Sequence, residues 1–264
     1  MKAFLLSITI ATLAFWRGSL SGMGVLGAIV VGTLTFGLGG WEWGVLLGLF
    51  FVSSSLLSHF KEEEKRTAAE KFDKGHQRDM GQVLANGGLG AALAVLSFVV
   101  PSPVWGYLFM GVMATVTADT WGTELGTLSK QPPRLITTRR VVAVGTSGGV
   151  SLLGTVISLA GGLLIGLAAG LMGWGVGVGG TAVIGVISGL AGSLFDSLLG
   201  ATVQQIYYCD VCQKDTERTV HKCGQATRPL RGWSWLNNDL VNLMASVVGG
   251  GTAVLFFTLF QNAS

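Results

Sequence analysis

Long runs of apolar residues alternate with shorter polar segments along most of the chain. The runs approach the roughly 20 apolar residues that a helix needs to cross a bilayer. We therefore predict an all-α fold, a polytopic transmembrane bundle of about eight helices. The predicted helices lie near residues 3–16, 20–40, 41–58, 83–100, 103–128, 146–172, 174–204 and 239–261. Three polar loops remain, near residues 59–82, 129–145 and 205–238.

The composition agrees with a membrane protein. Half of the 264 residues are hydrophobic and 12% are charged, whereas soluble domains carry about 25% charged residues. Glycine occurs 41 times, and small residues let membrane helices pack closely. We expect one integral membrane domain over residues 1–264, with a small Cys/His loop at 205–238. The apolar run after Lys2 has no signal-peptide cleavage pattern, so we expect it to be the first membrane helix.

The distribution of basic residues predicts the orientation. Eight crossings would place the three polar loops on one face of the membrane. These loops and the turn at Arg17 hold every lysine and arginine except Lys2. By the positive-inside rule this face is cytoplasmic, with both termini on the other side. Because the basic residues lie beside membrane segments, the net charge of +3 does not indicate a nucleic-acid partner. We interpret the first loop, residues 59–82, as a solvated amphipathic helix at the membrane surface.

Four acids lie in or beside the apolar segments, on the predicted cytoplasmic half: Asp119, Glu124, Asp196 and Asp239. A charge at this depth is costly without a partner or a polar cavity, so such acids are functional candidates. The alternative is structural pairing with arginines of the loops. Carboxylate oxygens are the ligands that Mg²⁺ prefers, and we therefore predict a magnesium site.

Helical spacing decides which polar groups share a face. Asp119 and Glu124 are separated by about 140° on a straight helix, so they share a face only if the helix breaks, for which Gly122 and Gly126 are candidates. Two other segments carry polar stripes at helical spacing. These stripes are Ser193, Asp196, Ser197, Gly200 and Gln204 in one segment, and Asn238, Asp239 and Asn242 in the other. We predict that the three helices converge on one oxygen-rich pocket.

A basic loop runs into a glycine-rich turn that we expect to open a helix. The loop contains Lys130, Arg134, Thr137, Thr138, Arg139 and Arg140, and the turn contains Gly145, Thr146, Ser147, Gly148 and Gly149, followed by Ser151. Free N–H groups at a helix start attract anions, which favours phosphate binding. No Gly-Lys-Ser/Thr follows, so the turn is not a P-loop, and helix packing is the alternative role for its glycines. Asn86, before two glycines, is either part of a packing notch or a ligand-binding amide.

All three cysteines lie in the last polar loop. Cys209 and Cys212 have zinc-knuckle spacing, and His221 and Cys223 follow. This set predicts either a structural zinc site or reduced thiols that pack together. An odd, clustered number of cysteines is not typical of an extracellular disulfide framework.

Six motifs carry a resemblance to a known family over nearly the whole chain. They span residues 82–87, 118–126, 133–138, 145–151, 196–201 and 238–242. The sequence resembles the integral membrane family formerly called domain of unknown function 92, which includes transmembrane protein 19 and the phytyl-phosphate kinases of tocopherol synthesis. More distantly, it is similar to CTP-dependent polyprenol kinases. The resemblance implies a prenyl-phosphate kinase that uses CTP or another NTP.

We therefore expect an enzyme that transfers a terminal phosphate, with Mg²⁺, from CTP or another NTP to an isoprenoid monophosphate. The expected catalytic residues are Asp119, Glu124, Lys130, Arg134 and Asp239, and the expected Mg²⁺ ligands are Asp119, Glu124, Asp196 and Asp239. The expected phosphate- and substrate-binding residues are Asn86, Thr137, Thr138, Arg139, Gly145, Thr146, Ser147, Gly148, Gly149, Ser151, Asn238 and Asn242. The alternatives are a transporter of a lipid, ion or anion, and a CTP-dependent cytidylyltransferase that releases pyrophosphate.

Overall fold

A computed structural model describes residues 1–61, 63–65 and 77–263 of the chain. The described part contains eight long helices, which confirms the predicted all-α fold. They are α1 (Lys2–Trp16), α2 (Gly22–Leu38), α3 (Trp41–His59), α4 (Met80–Val99), α5 (Pro103–Gly126), α6 (Leu152–Leu171), α7 (Gly177–Thr202) and α8 (Asn238–Ala263). Five short strands lie in the loops: β1 (Arg134–Leu135), β2 (Gly149–Val150), β3 (Ile206–Cys209), β4 (Lys214–Thr216) and β5 (Arg228–Arg231).

Five of the helices, α3, α4, α6, α7 and α8, are long and apolar enough to cross a membrane, and α1 and α2 are shorter apolar helices. Helix α5 lies at the centre of the bundle and packs against α3, α4, α6, α7 and α8. Its residues 109–118 are all buried. A helix surrounded by other helices does not need a uniformly apolar surface, because its polar groups face protein rather than lipid.

Close helix packing depends on glycine, as the composition predicts. Gly162 and Gly166 of α6 face Gly185 and Gly189 of α7, with the small residues spaced by four on each helix. A β-carbon added at Gly162 would lie 2.5 Å from the carbonyl oxygen of Gly185. Such spacing lets two membrane helices approach until their backbones touch.

We expect Gly162→Ala to lower the apparent free energy of unfolding by about 2 kcal/mol, because the added methyl group overpacks this contact. Thermal unfolding in detergent measures the effect. Gly48→Ala in α3 is the matched control, since a β-carbon there has no described atom within 4 Å. Equal stability of the two variants would contradict the packing described for α6 and α7.

One predicted helix start is wrong, and the helix break for which Gly122 and Gly126 were candidates does not occur in α5. Helix α6 begins at Leu152 rather than near residue 146, because β2 pairs with β1 in an antiparallel arrangement, and Ser151 then caps the helix by accepting a hydrogen bond from Gly154 N at 3.1 Å. Helix α5 runs unbroken through Gly122 to Gly126. These two glycines instead allow close contact with α6, near Ser158 and Gly154.

The last polar loop contains a three-stranded antiparallel sheet in the order β4-β3-β5, which the sequence pattern did not predict. The sheet is attached to the end of α7. Arg231 Nη2 donates a hydrogen bond to Gly200 O at 2.9 Å, and Trp233 N donates to Val203 O at 2.8 Å. The polar loop therefore covers the end of the bundle at which α7 ends and α8 begins.

Candidate active site

A cavity of about 390 Å³ opens at the end of the bundle where α3, α5 and α7 end and α4, α6 and α8 begin. Residues from all six helices and from all three polar loops line it. The predicted residues in its lining are Asn86, Asp119, Glu124, Gly145, Thr146, Ser147, Gly148, Gly149, Ser151, Asp196, Asn238, Asp239 and Asn242. The structure thus brings the acids of α5 together with the polar stripes of α7 and α8 in one cavity.

Five predicted residues lie away from the cavity. Lys130, Arg134, Thr137, Thr138 and Arg139 are exposed, and none of them belongs to the cavity lining. Their position follows from the β1–β2 pairing, which turns the basic loop outward. Arg134 Nη1 donates a hydrogen bond to Arg139 O at 3.0 Å. The Arg134 side chain therefore contacts the backbone of its own loop.

The acids of the cavity are close enough to repel one another. Asp196 faces the negative charges of Asp119 and Glu217. Asp119 accepts a hydrogen bond from Ser193 Oγ at 3.3 Å. Asp196 Oδ2 is buried and accepts no hydrogen bond from the described part of the chain. A buried carboxylate oxygen without a donor, next to other acids, is destabilised unless a cation or a proton neutralises it.

The donor set fits Mg²⁺. Its oxygen ligands are those that hard cations prefer, and Mg²⁺ commonly takes one or two carboxylates with water and substrate phosphates completing its shell. In the described residues, only the Cys/His set brings three or more ligand atoms within 4.8 Å of one another. An ion held by one or two of these carboxylates would complete its shell with water and phosphate oxygens.

Glu124 was predicted to bind Mg²⁺, but both of its carboxylate oxygens contact protein donors. Its Oε2 accepts a hydrogen bond from Lys65 Nζ at 2.6 Å, and its Oε1 accepts one from Ser58 Oγ at 2.8 Å. Lys65 is only 4% exposed, and its Nζ also donates to Leu57 O at 2.7 Å. The ammonium group thus satisfies carbonyls at the C-terminal end of α3, where a positive charge is favourable. Both Glu124 oxygens are occupied by protein donors.

Arg78 is the second cation that the first loop contributes. Its Nη1 donates to Ser55 Oγ at 3.0 Å, and its guanidinium lies 5.6 and 5.5 Å from the ring centroids of Phe50 and Phe51. Burial lowers the pKa of Arg78 to about 10, although the charge of Glu124 opposes the shift. Arg78 therefore stays protonated at neutral pH.

The interpretation of residues 59–82 as a solvated surface helix is wrong for Lys65 and Arg78, which line the cavity. Residues 62 and 66–76 of that loop lie outside the described part of the chain. One sequence signal pointed to Arg78: it directly precedes the Asp79–Gln82 capping box of α4, which positions it at the bundle end. No feature of the neighbouring sequence distinguishes Lys65 from the other charged residues of the loop.

The third loop contributes Glu217, Arg218 and Lys222 to the lining, and none of these was predicted. Glu217 Oε1 accepts hydrogen bonds from Ser147 Oγ and Gln204 Nε2, both at 2.8 Å. Glu217 therefore joins the glycine-rich turn to the end of α7. Arg218 and Lys222 add positive charge to the cavity lining.

The glycine-rich turn is seated directly on α7. Gly148 has a φ of +81°, and a β-carbon there would lie 2.5 Å from Ala201 Cβ. Its carbonyl oxygen accepts a hydrogen bond from Ile136 N at 3.0 Å. Only glycine meets both requirements, the left-handed conformation and the close approach. The turn therefore reaches the cavity through packing on α7 rather than by opening α6.

The cysteines and His221 form a separate group in the third loop. One ligand atom from each of Cys209, Cys212, His221 and Cys223 lies within 4.8 Å of the other three. The structure thus brings together the four residues that the sequence singled out.

The helix bundle and the charged cavity at one of its ends define a class, that of multi-pass helical membrane proteins with a polar site beside the membrane. Comparison with known proteins then identifies the family. The model of the family "Integral membrane protein DUF92" matches residues 5–250. The chain belongs to this family, which confirms the resemblance seen in its motifs.

The relatives match most of the chain. Protein PGR of Arabidopsis thaliana is 34% identical, over 92% of this chain and 91% of that protein. An uncharacterized membrane protein of Methanocaldococcus jannaschii is 33% identical, over 89% of this chain and 84% of that protein. The chloroplastic protein VTE6 of Arabidopsis thaliana is 26% identical, over 89% of this chain and 65% of that protein. No solved structure matches the chain.

Proposed function

We propose that the protein is a membrane-embedded prenyl-phosphate kinase. It transfers the terminal phosphate of CTP or another NTP, with Mg²⁺, to an isoprenoid monophosphate such as phytyl phosphate, and the product is the diphosphate. The observation that carries the proposal is the cavity itself, whose lining combines the carboxylates of Asp119, Asp196 and Asp239 with the cations Lys65, Arg78, Arg218 and Lys222. The resemblance of the motifs to phytyl-phosphate kinases supplies the substrate class. The excess of basic residues at this end of the bundle favours a cytoplasmic site.

The acceptor in this reaction is a phosphate that is already ionised at neutral pH, so the enzyme needs no general base. The main barrier is the repulsion between two anionic groups, and catalysis consists of positioning and charge stabilisation. We assign Asp119, Asp196 and Asp239 to Mg²⁺, which neutralises phosphate charge when it is bound. Because both oxygens of Glu124 are occupied, we assign it to the orientation of Lys65.

The cations of the lining have a direct role in this scheme. Lys65 and Arg78 approach from the first loop, and Arg218 and Lys222 from the third. Together, their positive charges can offset part of the negative charge of two phosphate groups. The side chains of Asn86, Asn238 and Asn242 supply amide groups that orient these phosphates. Lys130, Arg134 and Arg139 remain candidates for the capture of nucleotide at the surface.

An apolar part of the lining suits the isoprenoid. Leu190 and Leu194 of α7 line the cavity, and they precede Asp196 on a helix that runs toward the site from the membrane. A prenyl chain that contacts these leucines would present its phosphate to the acids. The phosphate end would then meet the nucleotide at the boundary between the bundle and the loops.

An assay of purified protein in detergent tests the proposal. We expect phytyl or farnesyl monophosphate, CTP or ATP, and Mg²⁺ to give the prenyl diphosphate and a nucleoside diphosphate, with no product when EDTA is present. Release of pyrophosphate would instead support a cytidylyltransferase. Failure to form a diphosphate with any prenyl phosphate, together with counterflow of substrate into liposomes without nucleotide, would support a transporter and refute the kinase.

A further inference from the structure

The four residues of the Cys/His cluster lie on two turns of the third loop. Cys209 ends β3, and Cys212 lies in the turn that leads to β4. His221 and Cys223 lie in a second turn, in which Gly224 N donates a hydrogen bond to His221 O at 2.8 Å. An isolated bridge between Val220 and Ala226 closes this turn. The small sheet thus presents two turns that face each other, each with two ligand side chains.

The ligand atoms lie close enough together to share one metal ion. Cys209 Sγ lies 3.8 Å from Cys223 Sγ, and two sulfur atoms bound to one tetrahedral zinc ion at about 2.3 Å are separated by about 3.8 Å. His221 Nδ1 lies 3.1 Å from Cys223 Sγ. A disulfide requires about 2.0 Å between its sulfur atoms, and one disulfide would leave the third cysteine unused.

We propose that Cys209, Cys212, His221 and Cys223 bind a structural zinc ion. Three thiolates and one imidazole complete a tetrahedral shell, which leaves no open position for catalysis. The burial of Cys209 and His221 agrees with a structural role, because two of the four ligands are shielded from solvent. The site is distinct from the acid-lined cavity, whose oxygen ligands suit a harder cation.

The ion explains how the third loop keeps its shape. A sheet of three short strands buries too little apolar surface to be stable by itself, and small folds of this kind commonly depend on a metal. Glu217 and Arg218 lie between the two metal-binding turns, and Lys222 lies between His221 and Cys223. The zinc ion therefore holds in place the three charged residues that this loop contributes to the cavity.

Metal analysis of the full-length protein tests the site. The protein is purified in detergent without chelator and with an affinity tag that contains no histidine. We expect about one zinc per chain by inductively coupled plasma mass spectrometry. Cys209→Ser/Cys212→Ser and His221→Ala should lose most of the zinc, whereas the control His59→Ala, which changes an exposed histidine outside the cluster, should retain it.

A second measurement does not depend on the folding of variants. The unmodified protein, stripped of metal and loaded with Co²⁺, should show the strong thiolate-to-cobalt absorption of a tetrahedral site. Removal of the metal should also increase hydrogen exchange across residues 205–237. Absence of zinc from the wild type together with failure to bind Co²⁺, or a disulfide among the three cysteines by mass spectrometry, would overturn the proposal. These results do not depend on kinase activity.

Discussion

Asp119→Asn is expected to lower the rate of prenyl diphosphate formation about 100- to 1000-fold, the usual effect of removing one group that stabilises charge in a transition state. The substitution removes a negative charge that we assign to Mg²⁺. Asparagine keeps an oxygen that can accept the hydrogen bond from Ser193 Oγ, which lies 3.3 Å from Asp119 Oδ1, so the fold should be retained. Initial rates at saturating prenyl phosphate, measured over a range of Mg²⁺ concentrations, test the effect.

Glu42→Gln is the matched control for this prediction. Glu42 lies at the opposite end of α3 and accepts a hydrogen bond from Trp174 Nε1 at 3.2 Å, so its neutral analogue should keep both the fold and the rate. Asp196→Asn should behave like Asp119→Asn, because the two residues line the same cavity. Full activity in Asp119→Asn would refute the metal assignment even if the kinase activity itself were established.

Lys65→Met is expected to lower the apparent free energy of unfolding by about 3 kcal/mol, because it leaves the Glu124 carboxylate partly buried without its cation. The Lys65 side chain is 5% exposed and that of Glu124 is 21% exposed. The double variant Lys65→Met/Glu124→Gln should recover much of the loss, since no charge is then left unpaired. Thermal unfolding of the four proteins in the same detergent gives the coupling energy of the pair.

Lys61→Met is the control for Lys65→Met, because it removes a lysine of the same loop without breaking a buried ion pair. Lys61 forms an ion pair with Glu64 at 3.0 Å, but the two side chains are 47% and 59% exposed. Exposed pairs contribute little, so this variant should change stability by less than about 1 kcal/mol. If Lys61→Met and Lys65→Met destabilise the protein equally, or if the double variant recovers nothing, the buried pair does not have the role described here.

The helices and the polar stripes on them were predictable from the sequence. Helical periodicity is local, so the spacing of Asn238, Asp239 and Asn242 places them on one face wherever α8 lies. The same reasoning applies to Ser193 and Asp196 on α7. Helix ends were predictable where capping residues mark them, but α6 starts later than predicted because strand pairing, and not local sequence, determines the conformation of residues 149–150.

The cations of the cavity were not predictable in this way. Lys65 and Glu124 are separated by 59 positions in the sequence, and Ser147 and Glu217 by 70. A loop lysine has the same local pattern whether it faces water or a carboxylate, and only the packing of α3 against α5 decides which. Arg134 and Arg139 illustrate the reverse case. Their basic segment before a glycine-rich turn predicted phosphate binding, but both side chains are exposed and lie outside the cavity lining.

By itself, the sequence determined the membrane bundle, its family, the acid-bearing helix faces and the cysteine spacing, because each follows from composition or short-range periodicity. The tertiary structure alone decided that α5, α7 and α8 share one cavity with the first and third loops. The convergence of the three helices was itself a prediction, so the new result is the contribution of the loops: Glu124 pairs with Lys65, and a small sheet brings Arg218 and Lys222 to the cavity wall. These outcomes depend on contacts between distant segments, whose energies arise from burial and charge pairing that no single segment contains.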